Sequence, residues 1–198
     1  MKRKERAAET EAALKAAAGR VFAERGYLNT KITDITAEAG RAAGSFYNHF
    51  AGKEALLEAL LADLAADSDS WAAGPGHRSD FTDPQAVREH VAVYVRLYRE
   101  HAATLRAVQE AALVSEGFAA TVNRFAAGQA ADLLGHVAQV AEAGRRLPAA
   151  PETALRMTFS LVHAFLRARQ QQADPATDEE ATEALTRFVY RGLNGRDY

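Results

Sequence analysis

The chain has 198 residues, 48% of them hydrophobic, and no cysteine; this is apolar material for one large or two modest domains, and it excludes disulfides, thiolate chemistry and cysteine-ligated zinc. The net charge of −2 is unevenly placed: residues 1–55 hold ten Lys and Arg against seven Asp and Glu, residues 56–198 hold 14 against 19, and all five lysines (Lys2, Lys4, Lys15, Lys31, Lys53) lie in the first part. Such asymmetry points to a nucleic-acid-binding end. The opening MKRKERAAETEAALK has no apolar stretch of the export type, and nowhere do 18 apolar residues run together, so the cytoplasm is expected and a membrane span is not.

Strand-like alternation of β-branched and aromatic residues is missing, so the expected class is all-α, with nine helices. Leu14, Ala18, Val21 and Phe22 share one face of the first helix, which stops at Gly26. Ile32, Ile35 and Ala39 mark a short second helix, with Thr30 placed to cap it and Asp34 near its positive end, ending at Gly40. A third, short segment runs to about Asn48 and depends on packing through Phe46 and Phe50. A leucine stripe, Leu56, Leu57, Leu60, Leu61 and Leu64, carries a fourth helix from Lys53 to about Asp67. A loop from Ala72 to Asp83 follows, and Asp83-Pro84 starts a fifth helix, cap followed by first-turn proline. The remaining four are expected over Thr104–Leu113, Glu116–Ala143, Pro151–Gln171 and Asp178–Leu193.

Two short helices joined by a tight glycine-containing turn, beside a longer one, form a helix-turn-helix candidate whose second short helix would enter a DNA major groove. In that frame the stretch GRAAGSFYNHF makes sense. Ala43, Gly44 and Ser45 would let the backbone come close to bases or phosphates. Tyr47, His49 and Lys53 can all donate hydrogen bonds to phosphate oxygens, with Phe46 and Phe50 as anchors between them.

From Glu11 to Leu61 the chain resembles the DNA-binding domain of the tetracycline-repressor (TetR) family. The resemblance is carried by Phe22, Gly26, Thr30, Ile35, Ala39-Gly40, then Gly-Ser-Phe-Tyr-Asn-His-Phe, and Lys53. It implies a homodimeric, ligand-responsive transcriptional regulator, usually a repressor. Residues 1–52 would form the DNA-binding domain and residues 53–198 a six-helix domain for ligand binding and dimerisation. The implied partners are a palindromic double-stranded DNA operator and a small-molecule inducer, without cofactor or membrane. Carried over by position, Thr33, Ala43, Gly44, Ser45, Tyr47, His49 and Lys53 match DNA-contacting residues. Lys31 and the basic arm Lys2, Arg3, Lys4 and Arg6 are added on charge alone. Where the family often has a small apolar residue and then serine, this chain has Arg41 and Ala42. Ala42 offers no side-chain cap, and sequence specificity is expected from Arg41, Thr33, Ser45 or DNA shape. Tyr47→Ala and Lys53→Ala are expected to weaken operator binding without disturbing the fold.

The C-terminal part has no phosphate loop, nucleophile elbow or H-E-x-x-H helix, so no catalytic residue is expected. His77, His90, His101, His136 and His163 show no ligand spacing, so no metal site is expected either. The family analogy places an inducer pocket among Leu64, Tyr94, Tyr98, Phe125 and Phe159. Apolar residues on the last two helices, Leu161, Ala164, Phe165, Phe188 and Leu193, suit a four-helix dimer bundle. The rival reading is an all-α ligand carrier or enzyme that binds no DNA.

Overall fold

The computed structural model describes residues 2–172 and 174–196; the side chains of Lys2 and Arg3, two of the basic-arm candidates, lie outside the described residues. Among the described residues there are nine helices: α1 (Lys2–Arg25), α2 (Ile32–Glu38), α3 (Ala43–Phe46), α4 (Lys53–Ala72), α5 (Pro84–Glu100), α6 (Ala102–Val114), α7 (Glu116–Glu142), α8 (Pro151–Gln171) and α9 (Asp178–Asn194). The all-α class holds. The chain divides into two compact units, residues 1–67 with 101–124, and residues 68–100 with 125–198.

In the first unit α1 buries Leu14, Ala17, Ala18, Val21 and Phe22, and α4 buries Leu56, Leu57 and Leu61, the two apolar stripes that the periodicity predicts. Gly26 ends α1 in the left-handed conformation, φ 73°, where a side chain would be strained. Helix α6 returns to this corner. Arg106 donates to the carbonyls of Phe22 and Ala23 at 2.7 and 2.9 Å, and the Glu110 carboxylate accepts from the Tyr27 amide at 2.7 Å. The last carbonyls of α1 thus find a guanidinium where an isolated helix end would need water.

In the second unit α5 packs on α9, and α8 on α9. Ala86, Val87, Val91, Val95 and Leu97 of α5 and Ala181, Leu185, Val189 and Leu193 of α9 are buried. Leu193 therefore serves this core and does not belong to an outward face. The expected start of α5 is realised: Asp83 accepts from the Gln85 amide at 2.9 Å. Helix α9 opens with Thr177 and Glu180 in a reciprocal capping pair, in which the hydroxyl serves the Glu180 amide and the carboxylate the Thr177 amide. After α7, Arg145 donates to the Thr82 carbonyl at 3.0 Å, the Tyr190 hydroxyl at 3.1 Å and the Asn194 side chain. Asn194, 2% exposed, in turn donates to the Phe81 carbonyl at 3.0 Å. This network fastens the 81–82 segment to the end of α9.

Candidate nucleic-acid interface

Helices α2 and α3 form the expected pair. Thr30 does not cap α2: its hydroxyl donates back to the Gly26 carbonyl at 2.6 Å, because the turn after α1 leaves that acceptor within reach. The cap residue is Lys31, whose amide is met by the Asp34 carboxylate at 2.8 Å. Between the helices Gly40 takes a left-handed φ of 63°, and the Arg41 amide donates to the Thr36 carbonyl at 2.8 Å. That bond reverses the chain and starts α3 at Ala43. As expected, Ala42 caps α3 with backbone only. Helix α3 is shorter than its predicted run to Asn48; residues 47–49 continue as turn.

Phe46 and Phe50 are buried, at 0% and 6% exposure, with rings 5.6 Å apart. They fix α3 from one side, so the opposite side stands free. Ala43, Gly44, Tyr47 and Asn48 are exposed, as are Lys31, Thr33 and Arg41, and Ser45 is half-buried. Tyr47 keeps 62% of its surface. A Cβ added at Gly44 would meet nothing within 4 Å. The protein's own packing therefore gives no reason for a glycine there. Asn48, which the sequence reading passed over, stands beside Tyr47 with its amide exposed.

Two candidates are tied inward. The Lys53 ammonium donates to the carbonyls of Tyr27 and Thr30 at 2.8 and 2.6 Å and lies 4.1 Å from the centre of the Tyr27 ring. It closes the turn between α1 and α2, and burial pulls its pKa below the ordinary lysine value. The expectation that Lys53→Ala leaves folding untouched is revised accordingly. The His49 side chain is 13% exposed, with Nδ1 3.9 Å from a Glu11 oxygen of α1. It does not project with Tyr47.

Of the inducer-pocket candidates, Tyr94, Tyr98, Phe125 and Phe159 belong to the second unit and Leu64 to the first. Tyr94 packs edge-on against Phe159, ring centres 6.0 Å apart, and its hydroxyl lies 3.1 Å from His163 Nδ1. Tyr98 meets the His163 ring at 5.3 Å. Burial pushes the Tyr94 phenol up to about 12 and lowers the His163 pKa, so at neutral pH this aromatic group is uncharged. Phe125 and Leu64 are half-buried. The histidines are not all scattered: His77, His90 and His136 converge in the second unit, across sequence gaps that conceal them. Among the described residues no helix is long and apolar enough to cross a membrane.

The profile of the family described as bacterial regulatory proteins, tetR family, matches residues 14–60. EthR of Mycolicibacterium smegmatis, an HTH-type transcriptional regulator, is 31% identical over 155 residues, which cover 77% of this chain and 70% of EthR. DhaR of Mycobacterium sp. (strain GP1), an HTH-type transcriptional repressor, is 49% identical over 47 residues, 24% of this chain and 24% of DhaR. The transcriptional regulator FadR of Bacillus subtilis, solved in complex with stearoyl-CoA, shares the fold at a TM-score of 0.78 and 17% identity, over 91% of this chain and 98% of that one. With the paired short helices in place and EthR matched at 31% over 70% of its length, the chain belongs to the tetR family of bacterial transcriptional regulators.

Proposed function

We propose that this regulator is a repressor that binds a palindromic operator as a homodimer. Residues 1–52 read the DNA, and a small molecule bound within residues 53–198 releases it. The observation that carries the reading is the open side of α3, where Ala43 and Gly44 leave the backbone bare beside an exposed Tyr47 and nothing of the protein fills the space. Small side chains allow close approach to a groove. Tyr47, Lys31, Thr33 and Arg41 supply donors for phosphates and base edges around it. His49 and Lys53 hold the element in place rather than reach out from it.

Homodimerisation is supported by large apolar residues left outside the second unit's core: Met157 (55% exposed) and Phe165 (38%) on α8, and Phe188 (62%) on α9. A two-fold pair would present recognition elements to half-sites roughly 34–36 Å apart or a multiple of that. The Tyr94, Tyr98, Phe159 and His163 group supports an apolar ligand site with a few polar atoms, and FadR holds stearoyl-CoA in the same fold. Release requires only that the ligand prefer a dimer geometry whose recognition elements no longer match the grooves.

Selection of bound sequences from random duplex DNA tests this directly. An enriched inverted repeat is expected, with affinity falling as salt rises; no enrichment at low salt would refute operator binding. Gly44→Ala separates the external role of this position from an internal one. The fold should keep or gain stability, by up to about 1 kcal/mol, because alanine favours helix, while operator affinity drops. Tyr47→Ala should weaken binding about tenfold, the worth of one hydrogen bond to a charged acceptor, with an unchanged melting temperature. Fluorescence anisotropy and thermal denaturation measure both effects.

A further inference from the structure

We infer that His77, His90 and His136 form a binding site for a divalent transition-metal cation, with zinc as its foremost occupant. The three residues come from the loop before α5, from α5 and from α7, and each offers one ring nitrogen within 4.8 Å of the other two. His77 Nε2 lies 3.1 Å from His90 Nε2 and 3.3 Å from His136 Nε2. Nitrogens held 2.0–2.1 Å from a tetrahedral zinc stand about 3.4 Å apart, so two edges of the triangle already have the length that a shared cation requires.

The hydrogen bonding around the trio favours the same conclusion. His90 Nδ1 lies 2.8 Å from the Ala86 carbonyl. Donating there fixes the tautomer and turns the Nε2 lone pair toward the cluster, the usual outer support of a metal-bound histidine. His77 Nε2 faces two other Nε2 atoms, and a single imidazole proton can fully serve one of those contacts. A cation serves all three lone pairs together.

Aromatic rings enclose the ligands. Trp71 and Phe81 close on the trio, with Trp71 4.8 Å and Phe81 4.9 Å from the His90 ring centre. Phe81 also lies 5.2 Å from the His136 ring centre, so the three imidazoles meet within an aromatic enclosure. Three imidazoles without a carboxylate suit zinc, nickel or copper and not magnesium or calcium. Three protein ligands also leave a coordination position for water or for an exogenous donor.

The test uses the untagged full chain, stripped with a chelator and titrated with zinc chloride. We expect one zinc per chain, a melting temperature that rises with zinc concentration, and visible absorption bands of four-coordinate cobalt when cobalt chloride replaces zinc. Excess magnesium should not compete. His77→Ala, in a loop where folding is least at risk, and His136→Ala should each weaken zinc binding more than 100-fold, beyond the ~10–100-fold typical of outer-shell losses. His101→Ala should change nothing. Absence of zinc uptake by the wild-type chain, or wild-type affinity in both cluster variants, overturns the assignment. Should a variant unfold, wild-type stoichiometry and the cobalt spectrum still decide. None of these readouts involves DNA, so they stand or fall apart from operator binding.

Discussion

Arg145→Ala should lower the stability of the second unit by about 3 kcal/mol, in the range for hydrogen bonds to a charged group that leave a buried partner unsatisfied. One guanidinium serves the Thr82 carbonyl, the Tyr190 hydroxyl and the Asn194 side chain. Asn194 is buried, so no water replaces the lost donor at low cost. Urea denaturation followed by helical signal measures the change; a loss under about 1 kcal/mol would mean that the network is merely solvated surface. Since the same network holds the Phe81 carbonyl, and the Phe81 ring lies against His90 and His136, the variant should also bind zinc less tightly.

Lys53→Met should cost about 2 kcal/mol in the first unit, through two carbonyls that lose a charged donor. Methionine keeps most of the stem, so the effect isolates the ammonium with its two carbonyls and the Tyr27 ring below it. The opening should be local, and hydrogen exchange at the amides of residues 26–31 is its most direct measurement. Operator affinity should fall with it, because the turn that positions α2 loosens. Affinity lost in Lys53 variants therefore does not report a phosphate contact. Tyr47→Ala, at a residue that is 62% exposed, is the variant that tests for one. Unchanged exchange at residues 26–31 would return Lys53 to the list of simple surface donors.

Most element boundaries were legible because their signals are local. Gly26 and Gly40 end helices in left-handed conformations, and Asp83-Pro84 and Pro151 begin them. Phe46 and Phe50 announced their burial through spacing alone. Helix α4 outran its leucine stripe, continuing from Asp67 to Ala72; Trp71 is held by the rings of His77 and His90, an anchor that periodicity does not register. The roles of Lys53, Glu110 and Arg145 were hidden for a shared reason. Their partners lie 26, 83 and 63 residues away in Tyr27, Tyr27 and Thr82, and a charged side chain near a helix end reads as solvated until its acceptors are known. The exposed face of α3 was legible as chemistry, since small and hydroxyl-bearing residues alternate with anchors. The histidine trio was not, because a metal-ligand spacing is recognisable only when ligands share one element or one turn.

The clasp of α6 on α1 also bears on how the chain comes into being. Arg106 and Glu110 reach partners 84 and 83 residues earlier. At translation rates of about 5–20 residues per second, the first helices precede those side chains by roughly 4–17 s. A nascent chain that has not yet reached residue 106 therefore carries the end of α1 unfastened, and the corner between α1 and α2 is completed only when α6 arrives.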